Sequence, residues 1–217
     1  MIKLEFHCHT ISSKDSLLSA EDLLKTCRRK GIDRVVVTDH NLISGAQRCQ
    51  SLDPERVIIG EEILTQSGEL LAAFVKEEIP AGLPAQEAIS RLRQQGAFIS
   101  VSHPFDSLRK GAWSLPDLEA IVPEVDAIEV FNARCFSAEA NRQAQEFARQ
   151  HRLLGTVGSD AHTAFELGRA TLLLPDFHDQ ASLKSALPQA QPRTRLSSPW
   201  VHVTSRYAVW LKSRSKV

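Results

Sequence analysis

Residues 2–10 read Ile-Lys-Leu-Glu-Phe-His7-Cys8-His9-Thr10, a short strand followed by two histidines one residue apart. In an extended chain, side chains at i and i+2 point to the same face. His7 and His9 therefore converge on one point, and Cys8 turns the other way into the wall. Two imidazoles meeting at the end of a strand form half of a metal site.

Working outward, strands and helices alternate. A polar loop carries Asp15, and residues 17–30 read as a helix with Ser19 as N-cap, closed by Gly31. Residues 34–38 form a β-branched strand that runs straight into Asp39-His40. A helix over 43–52 follows, then a third strand at 57–59 leading to Gly60-Glu61-Glu62. A fourth strand at 70–75 is preceded by Ser67-Gly68-Glu69. A helix over 84–95 leads to a fifth strand, 97–102, ended by His103-Pro104. A short helix, 115–122, precedes a sixth strand, 126–131, and Asn132-Ala-Arg134. A helix over 137–150 precedes a seventh strand, 153–158, which runs into Ser159-Asp160-Ala-His162. A further strand at 170–174 and a helix at 181–187 complete the pattern. Such alternation predicts parallel β/α units and, with about seven strands, a barrel. Residues 1–187 form this barrel domain. Residues 188–217 are a connector rich in Pro, Ser and Arg, then a helix over 203–212 expected to pack on the outside of the barrel.

The bulk numbers agree. A chain of 217 residues accommodates one large α/β domain. Hydrophobic residues make up 42% and charged residues 24%, as in an ordinary globular protein. Lys+Arg and Asp+Glu both total 26, so there is no global basic field for nucleic acid. No apolar run approaches the ~18 residues of a membrane span, and the opening residues read as strand rather than signal peptide. The four cysteines, Cys8, Cys27, Cys49 and Cys135, form no CxxC pair, so the expectation is free thiols in the cytoplasm. No pattern specifies an oligomeric state.

Five of the eight histidines (His7, His9, His40, His103, His162) follow strand ends, as do Glu61, Glu62, Asp160, Asn132 and Arg134. In a parallel barrel these ends share one rim, where barrel enzymes keep their sites. His151, His178 and His202 do not fit this pattern. Crowding so many titratable groups together is costly unless a cation is bound among them. Imidazoles and carboxylates without a thiolate pair suit Zn, Mn or Fe, and the ligands exceed what one ion can use. Two to three divalent ions are implied, with a carboxylate bridging, a type of centre that activates water and holds phosphoryl oxygens.

His7-x-His9-Thr10, Thr38-Asp39-His40, Gly60-x-Glu62, Ser102-His103-Pro104 and Gly158-Ser-Asp160-Ala-His162 resemble, in order and spacing, the PHP (polymerase and histidinol phosphatase) metallophosphoesterases. The resemblance spans about residues 1–175. It implies a distorted, TIM-like (β/α)7 barrel with a trinuclear centre of Mn, Fe or Zn. It also implies that His7, His9, Glu62 and Asp160 hold one ion and Asp15, His40 and His162 a second, with Glu62 bridging to a third ion that His103 also binds. Many PHP proteins have a further histidine on the fourth strand. Here the stretch is Gly68-Glu69-Leu70-Leu71, and Glu69 is the candidate substitute.

Arg134 is the candidate phosphate ligand and charge stabiliser, with Asn132 orienting it or touching phosphate. Asp39 is expected to orient His40. Glu129 is read as a paired structural acid, Glu61 as a non-ligand, Arg109 and Lys110 as loop residues near substrate or in solvent, and Ser159 as a turn residue without GxSxG context. The expected activity is hydrolysis of small phosphomonoesters, of nucleotide or sugar phosphate type, by a metal-bound hydroxide, with His103 or Asp160 as possible acid. The alternatives are an exonuclease or phosphodiesterase acting on short oligonucleotides, and a non-catalytic metal-binding accessory module.

Overall fold

A computed structural model describes residues 1–109 and 111–214. Lys110 and the last three residues of the C-terminal extension lie outside the described residues. The elements run β1 (Ile2–Cys8), α1 (Ala20–Lys30), β2 (Arg34–Val37), α2 (Ser44–Leu52), β3 (Val57–Leu64), β4 (Glu69–Ala73), α3 (Ala85–Gln95), β5 (Phe98–Val101) and α4 (Leu115–Ile121). They continue with β6 (Ala127–Asn132), α5 (Ala138–His151), β7 (Leu154–Gly158), β8 (Ala170–Leu174), α6 (Gln180–Ala186), β9 (Gln191–Thr194) and α7 (Val201–Arg214).

All the strands join one sheet in the order β7-β6-β5-β4-β3-β2-β1-β8-β9. It curls until β1 meets the end of β7. Cys8 bridges Ala161, and the His9 N–H donates to the Ala161 carbonyl at 2.8 Å. Glu5 clamps this seam. Its carboxylate accepts from the backbone N–H groups of Ser159 and Gly168, each at 2.9 Å, and from the Ser159 hydroxyl. Burial pushes the Glu5 carboxyl up to about 7 against these hydrogen bonds, which lower it. The expected α/β barrel is therefore present and nearly closed.

Strands β4 and β8 depart from the parallel rule, β8 pairing antiparallel with both β1 and β9. β3 runs five residues past its hydrophobic run of 57–59, through Glu61 and Glu62 to Leu64, and a tight turn reverses it. Gly60 then pairs with Ala73 and Leu64 with Glu69, antiparallel, and β4 pairs antiparallel with β5 as well. A connection of four residues is too short for a helical crossover. The reversal places the first residue of β4, Glu69, on the rim where the parallel strands end.

The helices follow their sequence signals. Ser19 caps α1 by accepting from the Asp22 N–H, and Gly31 ends it at φ 61°. The barrel interior below the rim is apolar, with Phe6 edge-on to Phe98 at 5.7 Å among Leu4, Leu71 and Phe177. Cys8 instead packs with Leu23, Leu24 and Ala46 under α1 and α2, as the two-residue period predicts. All four cysteines are free and buried.

The connector after residue 187 contains β9, an exposed edge strand that tolerates Pro192. The terminal helix does not cover the barrel's side. α7 reaches the rim: Lys212 Nζ donates to the carbonyls of Ile11 and Ser13, each at 2.6 Å, and Ser205 Oγ accepts from Arg134 at 2.9 Å. Its face is only partly apolar, with Ala208 its buried residue, so hydrogen bonds hold it in place of a greasy stripe.

At the opposite end, Asp126 is nearly buried between Arg93 and Lys184 and accepts from the Ile99 N–H at 3.0 Å. Burial alone would raise its carboxyl, but these donors outweigh it and hold the group below the usual range. A group depressed in the folded state adds stability above its unfolded pKa and loses it as pH falls through the folded one. Asp126→Asn should cost about 1–2 kcal/mol at neutral pH. Paired melts of wild type and variant should show the gap closing below about pH 4.

Candidate metal centre

A bulge in β1 sets the first cluster. Glu5 pairs with Val35 and Cys8 with Val37, so three steps of β1 match two of β2. The extra residue lets both Phe6 and His7 face the interior, and His9 then follows His7 on the same side. His7 Nε2 and His9 Nε2 lie 3.1 Å apart. Glu62 brings Oε1 to 3.4 Å from His7 and Oε2 to 3.4 Å from His9. Asp160 Oδ1 is 3.6 Å from His7 and 3.2 Å from His9. Four donors around one tetrahedral ion at ~2.1 Å would be ~3.4 Å apart. Gly158 makes the approach possible, since a Cβ there would lie 2.4 Å from His7 Cβ.

The other groups adjoin this set. Asp15 Oδ2 is 3.2 Å from His162 Nε2 and 3.5 Å from His40 Nε2. His9, His40 and His162 bring ring nitrogens within 4.8 Å of one another. On the far side of Glu62, His103 Nε2 lies 3.1 Å from Glu62 Oε1 and 3.5 Å from Glu69 Oε2. His40, Glu62 and Glu69 form a third donor cluster. Glu62 thus touches every part of the constellation. All the residues proposed as ligands from sequence, Glu69 included, come together on this rim. Asn41, His103 and Asp160 all have positive φ (54°, 20° and 51°), strain of the kind that gathers where side chains must be aimed.

These groups fit divalent cations. Glu62 Oε2, Asp160 Oδ1, Asp15 Oδ1 and His103 Nδ1 are buried without a hydrogen-bond partner. Glu62 Oε2 is 3.0 Å from His40 Nδ1 yet not in hydrogen-bond geometry. His7 Nδ1 is 2.9 Å from Glu129, and His162 Nδ1 is 2.8 Å from the Asp160 carbonyl. With the protons on those nitrogens, both Nε2 lone pairs face the cluster. Burial, then His162 and His40, push His9 down to about 4, so its ring is neutral. Burial also works to lower His7, but Glu62, Asp160 and Glu129 outweigh it and hold the ring well above its usual range. The carboxylates are drawing in positive charge, which bound cations would supply.

Two guanidiniums border the centre. Arg109 is the one aimed inward. Its Nη1 lies 2.7 Å from Asp160 Oδ2 and its Nε 3.1 Å from Asp106, while Nη2 is buried without a partner. Arg109 lies in a loop, where no hydrophobic period marks it. Arg134 lines the same cavity but is largely engaged, 3.2 Å from Glu166 and bonded to Ser205 and the Val201 carbonyl. Asn132 is buried, with its amide donating to Glu129 and Asp160 and its oxygen accepting from the Arg134 N–H. It has no donor left for phosphate and serves to position Asp160. Asp39 does not orient the His40 ring. It accepts from Thr10 and Ser13 and so fixes the loop that carries Asp15. Glu129 accepts from the His103 N–H at 2.9 Å as well as facing His7. Glu61 faces away and accepts from the Ile79 N–H. The cavity above the centre measures about 370 Å³ and is lined by Asp15, His40, Glu69, Arg109, Arg134 and His162, with Phe136 and α7 residues His202, Ser205 and Arg206.

Known proteins share this plan. A family model described as PHP-associated matches residues 138–191. The uncharacterized protein MJ0417 of Methanocaldococcus jannaschii is 38% identical over 172 residues, covering 78% of this chain and 69% of its own length. A two-domain protein from Bacteroides vulgatus, containing a predicted PHP-like metal-dependent phosphoesterase, superposes with a TM-score of 0.73 at 19% identity. That match covers 89% of this chain and 65% of the Bacteroides chain. PsfC from Pseudomonas syringae superposes with a TM-score of 0.69 at 20% identity, over 97% of this chain and 98% of its own. The two structures share the fold, and the archaeal protein adds a sequence relationship over most of both chains. With the five motifs in order and their residues gathered on one rim, the chain belongs to the PHP-domain family.

Proposed function

We propose that this chain is a metal-dependent phosphoric ester hydrolase whose substrates are small phosphomonoesters. The observation that carries the reading is the buried set of unpartnered polar atoms, carboxylate oxygens of Glu62, Asp160 and Asp15 and Nη2 of Arg109, beneath a cavity of about 370 Å³. That volume suits a small phosphorylated molecule. His7, His9, Glu62 and Asp160 would hold one ion, and Asp15, His40 and His162 a second. Glu62, Glu69 and His103 would hold a third, the ions being Mn, Fe or Zn. Such ions, when bound, lower the pKa of water and neutralise phosphoryl charge.

The chain's own groups do the rest. Arg109 offers Nη2 to a phosphoryl oxygen, while Asp160 and Asp106 hold its plane. Burial would raise Asp160, but Arg109 and the surrounding rings outweigh it and hold its carboxyl well below the usual range. It therefore orients donors and gives no proton. Of the two candidate acids, His103 is the one with a ring nitrogen, Nδ1, left without a partner. Arg134 adds positive charge to the cavity wall and ties α7 over it. Among the described residues, no helix is long and apolar enough to cross a membrane. The four free thiols fit the reducing cytoplasm as the proposed location.

A second reading, diester cleavage of short oligonucleotides, gains from α7. Tyr207 and Trp210 stack at 5.7 Å and Arg214 lies 4.2 Å over Trp210, on the helix that lines the cavity. Protein loaded with Mn should turn over members of a phosphomonoester panel. Turnover of diesters alone would select the second reading, and turnover of neither class would leave the accessory-module reading.

A further inference from the structure

A second cationic site lies on the side of the barrel. A groove of about 520 Å³ is lined by Lys3, Arg29, Lys30, Phe165, Arg169 and Arg195, with no acidic side chain among its described lining residues. These residues come from the start of β1, the end of α1, the loop before β8 and the segment after β9. The groove shares no lining residue with the metal cavity.

Two observations separate this patch from ordinary surface charge. Several exposed arginines elsewhere pair with a carboxylate: Arg28 with Asp53, Arg48 with Glu21, Arg91 with Glu87, Arg142 with Glu139. Among the described residues, none of the five cations of the groove has a carboxylate partner within 4.0 Å. The nearby Asp33 accepts from the Lys3 backbone N–H. Crowding shows in Lys30. Its ammonium bonds to the carbonyls of Ala164, Phe165 and Leu167. It is held below its usual pKa first by burial and then by Arg29 and Arg169. The second observation is Phe165, which is 73% exposed with the Arg169 guanidinium 5.2 Å from its ring centre. An exposed ring backed by a cation is a stacking platform for a base.

We infer that this groove binds a single-stranded oligonucleotide, its successive phosphates on Arg29, Arg169, Arg195 and Lys3 and a base on Phe165. The four cations come from four separate segments of the chain, and the open groove they line suits a run of phosphates. The proposal is independent of the chemistry at the metal centre.

Fluorescence anisotropy on the full, metal-loaded chain tests it, using a labelled single-stranded DNA of about 12 nucleotides with uncleavable phosphorothioate linkages. Arg29 and Arg195 are exposed, so the Arg29→Glu/Arg195→Glu double variant should melt like the wild type. Its Kd should rise at least about tenfold at about 100 mM salt, and the slope of log K against log salt should shrink by about 1.4, at ~0.7 per phosphate contact. Phe165→Ala should weaken binding about fivefold and leave the salt slope unchanged. Equal affinity for wild type and double variant would overturn the proposal. So would inorganic tripolyphosphate competing as well, per phosphate, as the oligonucleotide while Phe165→Ala has no effect, since the groove would then recognise phosphate alone.

Discussion

Glu62→Gln is expected to lose at least one divalent ion per chain and on the order of 10³ in kcat/KM toward a phosphomonoester. The side chain keeps its size, so the loss would report on charge. Glu62 Oε1 accepts from Ser102 at 2.7 Å and faces His103 at 3.1 Å, while Oε2 faces His9 and His40. An amide there can present one oxygen and must aim N–H groups at imidazole nitrogens. Burial would raise the Glu62 carboxyl, but His7 and His40 outweigh it and hold it well below the usual range, so the wild-type group is ionised. Thermal melting gives a second readout. Chelator should lower the melting temperature of the wild type, because bound ions stabilise the folded state by mass action. It should shift the variant much less. A variant that keeps its full metal content would remove Glu62 from the centre.

Arg109→Ala is expected to cost about 10²–10³ in kcat/KM, with Arg109→Lys recovering only a small part. An ammonium cannot hold Asp160 and Asp106 and still present a free N–H in the same plane. Burial opposes the charge on Arg109, but Asp160, Glu62 and Asp106 outweigh it and keep it protonated. Arg134→Ala should behave differently. Its bonds run to Glu166 and α7, so the variant should raise KM several-fold and make the C-terminal helix easier to cleave by protease. Steady-state kinetics on the two variants separate the roles. Equal kcat losses would return Arg134 to the reacting groups.

The contrast between these arginines shows which features can be read from a chain. His7 and His9 are legible because a two-residue period puts them on one face, and the bulge that refines their aim leaves that relation intact. His40, His103, Asp160 and His162 are legible because each follows a β-branched or apolar run. The reversal at β4 is hidden because Glu61 and Glu62 interrupt the hydrophobic pattern of β3 while remaining buried in it. Glu5 is silent for a similar reason. It is an acid inside a strand, and the Ser159 it clamps is 154 residues away. Arg109 has no period to betray it, and α7 is a helix of mixed polarity whose position depends on hydrogen bonds from Arg134 and Lys212. Local pattern specifies which residues reach the rim, and long-range pairing decides what closes over them.

The proposed function requires the rim of this barrel to hold more than one divalent ion. Elemental analysis of the full chain purified without chelator tests it most directly. Two to three Mn, Fe or Zn ions per chain are expected, with fewer in Glu62→Gln and Asp160→Asn. A chain that carries none, and takes up none when Mn is supplied, would contradict it.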